Sequence, residues 1–360
     1  RFAWQLKSVD TWQVKRIFWN TFNFGTTNTT SADQLQIDVG GYNSLLGKSY
    51  GEIAAESRSM HKSQGFGSAR SRGQQTEFFK LIKGDSARTD LFENIDQTWN
   101  RLGNESELIK KIDQCISGFD PEFPERIIGE LKSIHDALTK ISEKDKYISY
   151  WKNLKLKEVE NLILNCAGLW IETTSGNYSG IPGKKIAITV QAINRSNANV
   201  KINAIVYSSQ SDTVAEINLK KNELATFKRT IALDKNTPYS NPYWLKTPHA
   251  EGFFTVKDPA MLLQPENSPA YSVQFKINVE GIDLNISRPL VYKSTDPTKG
   301  EVYRQFEILP QIAANFSSKA FTFQNGKSSK IQLTITANED SVKGKVKLNL
   351  PSGWKAEPSE

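Results

Sequence analysis

Four side chains in one short run have the chemistry to meet a polar or anionic ligand: Arg58, His61, Lys62 and Gln64, within SYGEIAAESRSMHKSQGFG (Ser49 to Gly67). A histidine exchanges protons near neutral pH, arginine and lysine attract anions, and a glutamine amide both donates and accepts hydrogen bonds. From Ser57 to Thr76 no acidic residue occurs, while Arg58, Lys62, Arg70 and Arg72 are all cationic. The plain reading of the run is a packed helix with a solvated basic rim. The sharper alternative is the floor of a site for a polar or anionic ligand.

A second group is aromatic. Tyr243-Trp244, with Trp170, offers flat faces on which a sugar ring could stack; the alternative is a core tryptophan or a plug at a domain junction. Beyond these the inventory is short. The three histidines, His61, His135 and His249, lie far apart, and no HxxH, HExxH or CxxC spacing marks a metal site. There is no GxSxG elbow. Gly65 and Gly67 follow a helix, the wrong context for a phosphate-cradling turn. Glu52 and Glu56 stand four apart on a helix flank and read as solvated. These absences argue against an enzyme confined to these 360 residues.

The elements that must position these groups follow from patterning. Ser49 and Glu52 form a capping box, so a helix begins at Tyr50. At 100° per residue, Tyr50, Ile53, Ala54, Ser57, Met60, His61 and Gln64 share a face of roughly 120°, apolar at its start and polar at its end. Upstream, VKRIFWNTFNF alternates with aromatics on both sides, which predicts a strand covered on both faces in a layered α/β domain. Leu35, Ile37 and Val39 give a second strand. Such aromatic density over residues 1–84 calls for an adjoining core.

Residues 85–168 turn helical: Leu91 to Leu102, Glu105 to Ile116, Pro124 to Ile141 and Asp145 to Ala167. Ile127, Ile128, Leu131, Ile134, Leu138 and Ile141 make one buried stripe, with His135 beside it. Over 169–310 the period becomes two, with a turn at Ile181-Pro182-Gly183 and a hairpin around Glu280-Gly281, which predicts a β-sandwich. Asp296, Pro297 and Gly300 read as a linker. KAFTFQ, KIQLTITAN and KVKLNLPSGW, within 311–360, start another sandwich.

Composition narrows the classes. The net charge of +7 is spread without a basic block or nucleic-acid-binding motif, so no nucleic-acid partner is expected. No apolar run approaches the roughly 20 residues of a membrane span. Cys115 and Cys166, in separate helices, read as small buried hydrophobes. Both chain ends look cut, which suggests a piece of a longer protein.

WQVKRIFWNTFNFG, YNSLLGKSYGEIAAESRSMHKSQGFGSARSRG and QQTEFF resemble the end of the catalytic domain in the long PIG-L (LmbE-like) deacetylases of Bacteroidetes-type bacteria. GLWIE, NPYWL and VYKSTDPTKGEVYR resemble the accessory region of the same proteins, and the stretch from Ile312 to LPSGW is similar to the start of a NEW3-type Ig-like domain. The resemblance implies a multidomain α+β chain: a partial Rossmann-like α/β piece (1–84), a helical connector (85–168), a β-sandwich accessory domain (169–310) and a truncated Ig-like domain (311–360). It also implies zinc-dependent removal of acetyl groups from an N-acetylated amino sugar such as N-acetylglucosamine.

In that family zinc is held by histidines and an aspartate of two motifs, and neither motif is in this chain. No residue here is therefore assigned as a metal ligand or catalytic base. Arg58, His61, Lys62 and Gln64 match the family's late helix and carry at most a substrate-side role. The expected partners are the amino-sugar or glycan substrate and the remainder of the catalytic domain, in a periplasmic or cell-surface setting rather than a cytoplasmic one. The competing expectation is a non-catalytic protein whose β-sandwiches bind carbohydrate or act as a spacer.

Overall fold

The computed structural model describes residues 3–7, 9–103, 105–143, 145–207, 216–262, 264–324 and 326–357. Ser208, the last residue of VKINAIVYS (Val200 to Ser208), which alternates as a strand, and Pro358 to Glu360 of the expected Ig-like stretch lie outside them. The chain divides into two compact units, Arg1–Asn104 and Glu105–Glu360. Helices and strands are both present, so the mixed α+β class expected from the sequence stands.

In the first unit, β1 (Arg16–Thr21) and β2 (Leu35–Asp38) flank β3 (Thr76–Gly84) in one antiparallel sheet. Pairing puts Phe18, Asn20, Phe79, Leu81 and Leu35 on one face and Trp19, Thr21, Phe78 and Lys80 on the other. The expected strand with two aromatic faces therefore forms, and its cover within the described unit is partial: Phe18, Phe78 and Phe79 are half-buried. Ile17, Trp19, Phe22 and Ile82 are exposed, and the buried apolar residues of the described unit are Leu35, Ala55 and Leu102.

Helix α1 (Tyr50–Ser59) starts where the capping box places it: Ser49 Oγ accepts from the Glu52 amide at 3.2 Å, and the Glu52 carboxylate accepts from the Ser49 amide at 3.0 Å. Its buried face is not the expected one. Gly51 and Ala55 are buried, whereas Tyr50 and Met60 are exposed. The cause is the return segment before β3. Ser49 Oγ donates to the Ser71 carbonyl at 3.1 Å, and only a residue without Cβ lets that strand of backbone lie against Gly51. The helix also stops early. His61 precedes a separate 3₁₀ turn, Lys62–Gln64, which Gly65 ends at φ 68°. His61 and Gln64 thus leave the helical face on which they were placed.

The helix expected over Leu91 to Leu102 is replaced by turns and one 3₁₀ turn, Trp99–Leu102. Asn94 sits at φ 60°, outside the helical region, and the Asp96 carboxylate accepts from the Thr98 amide at 2.8 Å, which a continuous helix would spend on the carbonyl four residues back. Such local bonds compete with helix formation.

The second unit begins with α2 (Ser106–Ser117), α3 (Ile128–Lys140) and α4 (Lys146–Cys166). The six-residue stripe of α3 and its flanks is buried throughout. Lys152 of α4 is buried too, and its ammonium donates to the Ile141 carbonyl at the end of α3, 2.8 Å away, and pairs with Glu143. Both cysteines are free and buried, and burial pushes both thiols up from their ordinary pKa.

Gly168, at φ 61°, turns the chain from α4 into β4 (Leu169–Ser175). There follow β5 (Lys185–Asn194), β6 (Val200–Val206), β7 (Ile217–Leu219), β8 (Ala225–Ala232), β9 (Ser272–Val279), β10 (Ile282–Asp296) and β11 (Gly300–Gln305). They form one sheet in the order β7-β6-β9-β10-β4-β5-β8, with β11 also on β10. The long β10 serves two neighbourhoods: Ile282 to Pro289 pair with β9, while Leu290 to Tyr292 run parallel to β4 and Val291 to Asp296 pair with β11.

The sheet nearly closes, through a parallel bridge between Asn194 and Lys221. At that seam the buried Asn194 amide donates to the carbonyls of Ala198 (2.8 Å) and Leu219 (3.3 Å). Inside lie alternating residues such as Ile188, Val190, Ile202, Phe275, Ile277 and Leu284.

The hairpin turn at Glu280-Gly281 forms as expected, both residues at positive φ. Asp296 to Gly300, expected as a linker, is another hairpin turn, because the Asp296 carboxylate gathers the amides of Thr298 and Lys299. Beyond it, β12 (Ile312–Phe316) pairs with β13 (Leu333–Ala337). The strands expected over Lys319 to Gln324 and Lys345 to Leu350 do not form among the described residues, since their backbones find no ladder partner. Alternation alone does not make a strand.

Candidate functional site

The sequence-derived site around α1 divides into paired and unpaired charges. Glu52, expected to be solvated, accepts from Arg72 Nε at 2.8 Å, and Glu56 pairs with Lys48 at 2.8 Å and Arg70 at 3.1 Å. The Ser49 amide, with Arg72 beside it, holds the Glu52 carboxyl below its ordinary pKa. Two of the four cations in the acid-free run are thereby committed to the helix that they border. Of the predicted residues, Arg58 lies over the Phe66 ring at 5.5 Å, and His61, Lys62 and Gln64 are exposed on the turn after α1. The turn is held by backbone bonds, His61 N–H to Arg58 O and Gln64 N–H to His61 O.

Tyr243 and Trp244 sit in a 3₁₀ turn, half-buried, with their rings edge to face at 5.0 Å and 88°. Two perpendicular rings present no common plane. The Tyr243 hydroxyl donates to the Gln264 carbonyl, and its amide to Asn267 Oδ1. Among the described residues Trp170 makes no ring contact with this pair; it lies on β4. The three-ring platform is not assembled.

The described residues contain no group of three or more His, Cys, Asp or Glu side chains placed to hold a metal ion. His135 lies between Asp136 and Glu160, each 3.7 Å away, against the helical core. No helix of the described chain is long and apolar enough to cross a membrane.

Cross-strand pairing assembles a cluster that the linear reading missed. Glu172 of β4, Lys293 of β10, and Glu301 and Tyr303 of β11 meet on the outward face of the sheet, because Ile171 and Thr173, which flank Glu172, point to the core. Lys293 Nζ is 2.6 Å from Glu172 Oε2 and 3.6 Å from Glu301 Oε1. The Tyr303 hydroxyl is 2.8 Å from Glu172 Oε1 and 2.9 Å from Glu301 Oε2. Hydrogen bonding to Glu172 raises the Lys293 ammonium pKa, and the two carboxylates raise that of the Tyr303 hydroxyl. The Tyr303 ring is half exposed. A signal existed: a turn at Asp296 to Gly300 sets Lys293 opposite Tyr303. Nothing local announced Glu172, 121 residues from Lys293.

No protein-family model matches this chain, and no curated protein matches it. Among solved structures, it is similar to Spo0M, a sporulation control protein from Bacillus subtilis, at 12% identity and TM-score 0.17, over 34% of this chain and 49% of that one. It is also similar to the alkylpurine DNA glycosylase AlkC of Pseudomonas fluorescens bound to DNA containing an abasic site analog, at 12% identity and TM-score 0.17, over 45% of this chain and 47% of that one. The matches thus span about half the length of each of those two chains.

Proposed function

We propose that this chain is the closing part of a PIG-L-like, zinc-dependent deacetylase of N-acetylated amino sugars, followed by accessory domains. The observation that supports the reading is the first unit's sheet, whose apolar cover is partial: Phe18, Phe78 and Phe79 are half-buried, while Ile17, Trp19 and Ile82 are exposed. A layer of that kind is completed by further strands and helices, as in a Rossmann-like domain. The blocks from Trp12 to Phe79 that resemble this family supply the identity of the missing partner.

The donor set of the described residues does not fit zinc. His61 is exposed on a turn, and Glu52 and Glu56, near it in sequence, already hold arginines and a lysine. No chemical step is therefore routed through a metal here. In this proposal the zinc and the general base belong to polypeptide outside these 360 residues, and Arg58, His61, Lys62 and Gln64 form a wall beside the substrate. The Rossmann-like and Ig-like assignments of the first unit and of the chain's end belong to the same proposal. Metal content tests it: the chain purified from zinc-supplemented medium should carry far less than one zinc. Stoichiometric zinc lost on His61→Ala would overturn it.

A further inference from the structure

On the inward face of the second unit's sheet, a charge interrupts the apolar row. Along β10 the inward positions are Ile282, Leu284, Ile286, Arg288 and Leu290, and all but Arg288 are buried aliphatics. Arg288 pairs across the ladder with Val273, itself fully buried, just before β10 leaves β9 for β4. The arginine is half-buried. Its side chain donates to the Ser287 carbonyl at 3.1 Å and has no ion pair among the described residues. Burial holds the guanidinium below its ordinary pKa, and no carboxylate opposes that shift.

A second group on this face is short of a partner. The Tyr271 carbonyl accepts from the Leu290 amide at 2.9 Å, which extends the ladder and sets Tyr271 on the same side as Val273. Its hydroxyl is buried and has no hydrogen-bond partner among the described residues. Burial pushes the pKa of that hydroxyl up to about 12, so it remains a protonated donor at neutral pH. Buried donors are nearly always paired, and a desolvated cation left alone is costlier still. The helices do not supply the partner. Lys132 of α3 donates to the Gly281 carbonyl at the turn before β10, so they meet the other end of these strands. Both groups therefore lack the same thing, a negatively charged acceptor.

We infer that Arg288 and Tyr271 hold the carboxylate of a small organic monoanion, with the guanidinium fork on its oxygens and the phenol donating to one of them. The planar fork matches the two oxygens of a carboxylate, and such charge-assisted bonds are the stronger kind. One cation among aliphatic neighbours balances one negative charge, which favours a monocarboxylate over a phosphate dianion. The site belongs to the second unit and does not rest on the deacetylase reading.

Saturation-transfer NMR of the whole chain tests this with three probes at neutral pH: propionate, its neutral isostere propionamide, and inorganic phosphate. Propionate should bind saturably, and propionamide and phosphate at least about ten-fold more weakly. Arg288→Gln should weaken propionate binding by about ten-fold or more, and Tyr271→Phe by about ten-fold, in keeping with loss of hydrogen bonds to a charged group. Arg288→Lys keeps the charge without the fork and should fall between the parent and Arg288→Gln. Tyr271→Phe removes only the unpaired hydroxyl, so its urea midpoint should not fall, which separates loss of binding from loss of fold. Absent saturable binding, propionamide or phosphate binding as well as propionate, or propionate binding unchanged in Arg288→Gln or in Tyr271→Phe would each overturn the inference.

Discussion

Gly51 and Ser71 are in contact so close that a Cβ on the glycine would collide with Ser71 Oγ and stand 2.9 Å from its carbonyl oxygen. This contact decides which face of α1 is buried. Gly51→Ala would gain about 1 kcal/mol in helix propensity. The crowded backbone outweighs that gain, since overpacking costs about 1–3 kcal/mol. The first unit should unfold at lower denaturant concentration, followed by fluorescence of its tryptophans. Ala54→Gly, on the exposed face of the same helix, should cost only the propensity, about 1 kcal/mol.

The carboxyl of Glu52 links this contact to pH. The Ser49 amide first, and Arg72 with it, depress its pKa below the ordinary 4.5. A carboxyl with a depressed folded-state pKa gives stability that is present above the unfolded value and lost as pH falls through the folded one. The difference in denaturation midpoint between the parent and Glu52→Gln should therefore be constant above about pH 5 and shrink as pH is taken below the ordinary value.

In the helical part, Lys152 closes the end of α3 by donating to the Ile141 carbonyl from a buried position. Lys152→Met keeps most of the volume and removes the donor. An unsatisfied buried carbonyl costs about 1–3 kcal/mol, and the second unit should lose that much in urea titrations followed by far-UV circular dichroism.

Asn194 does comparable work where the sheet nearly closes. Asn194→Ala strands the carbonyls of Ala198 and Leu219, each at a cost of about 1–3 kcal/mol. It should accelerate amide exchange in β7 and at Asn222, whose amide donates to the Asn194 carbonyl, more than in β9.

How far these features were legible in the chain depends on the range of the interaction that makes them. The Ser49–Glu52 box, the Glu280-Gly281 hairpin and the Ile127-to-Ile141 stripe are set by neighbours a few residues apart, and all three form as expected. The buried face of α1 was misjudged because a glycine contact with Ser71, twenty residues on, outweighs the apolar pattern of Ile53 and Met60. Leu91 to Leu102 carries apolar residues at helical spacing, but Asn94 at φ 60° breaks the run and Asp96 draws the Thr98 amide into a turn. The Glu172–Lys293–Tyr303 cluster was legible only in part: the hairpin turn after Asp296 sets Lys293 opposite Tyr303, but Glu172 joins them only through the parallel pairing of β4 with β10. Arg58, His61, Lys62 and Gln64 were found by type and spacing, and the structure leaves them on or just beyond one exposed helix end.

The central claim is that these residues support a hydrolytic centre carried by neighbouring polypeptide. Its most direct measurement is zinc-dependent acetate release from N-acetylglucosamine oligomers, by this chain alone and by the same chain extended through the sequence encoded ahead of Arg1. The account predicts release by the extended protein and none by the chain alone. Turnover by the chain alone, or none by either, would contradict it.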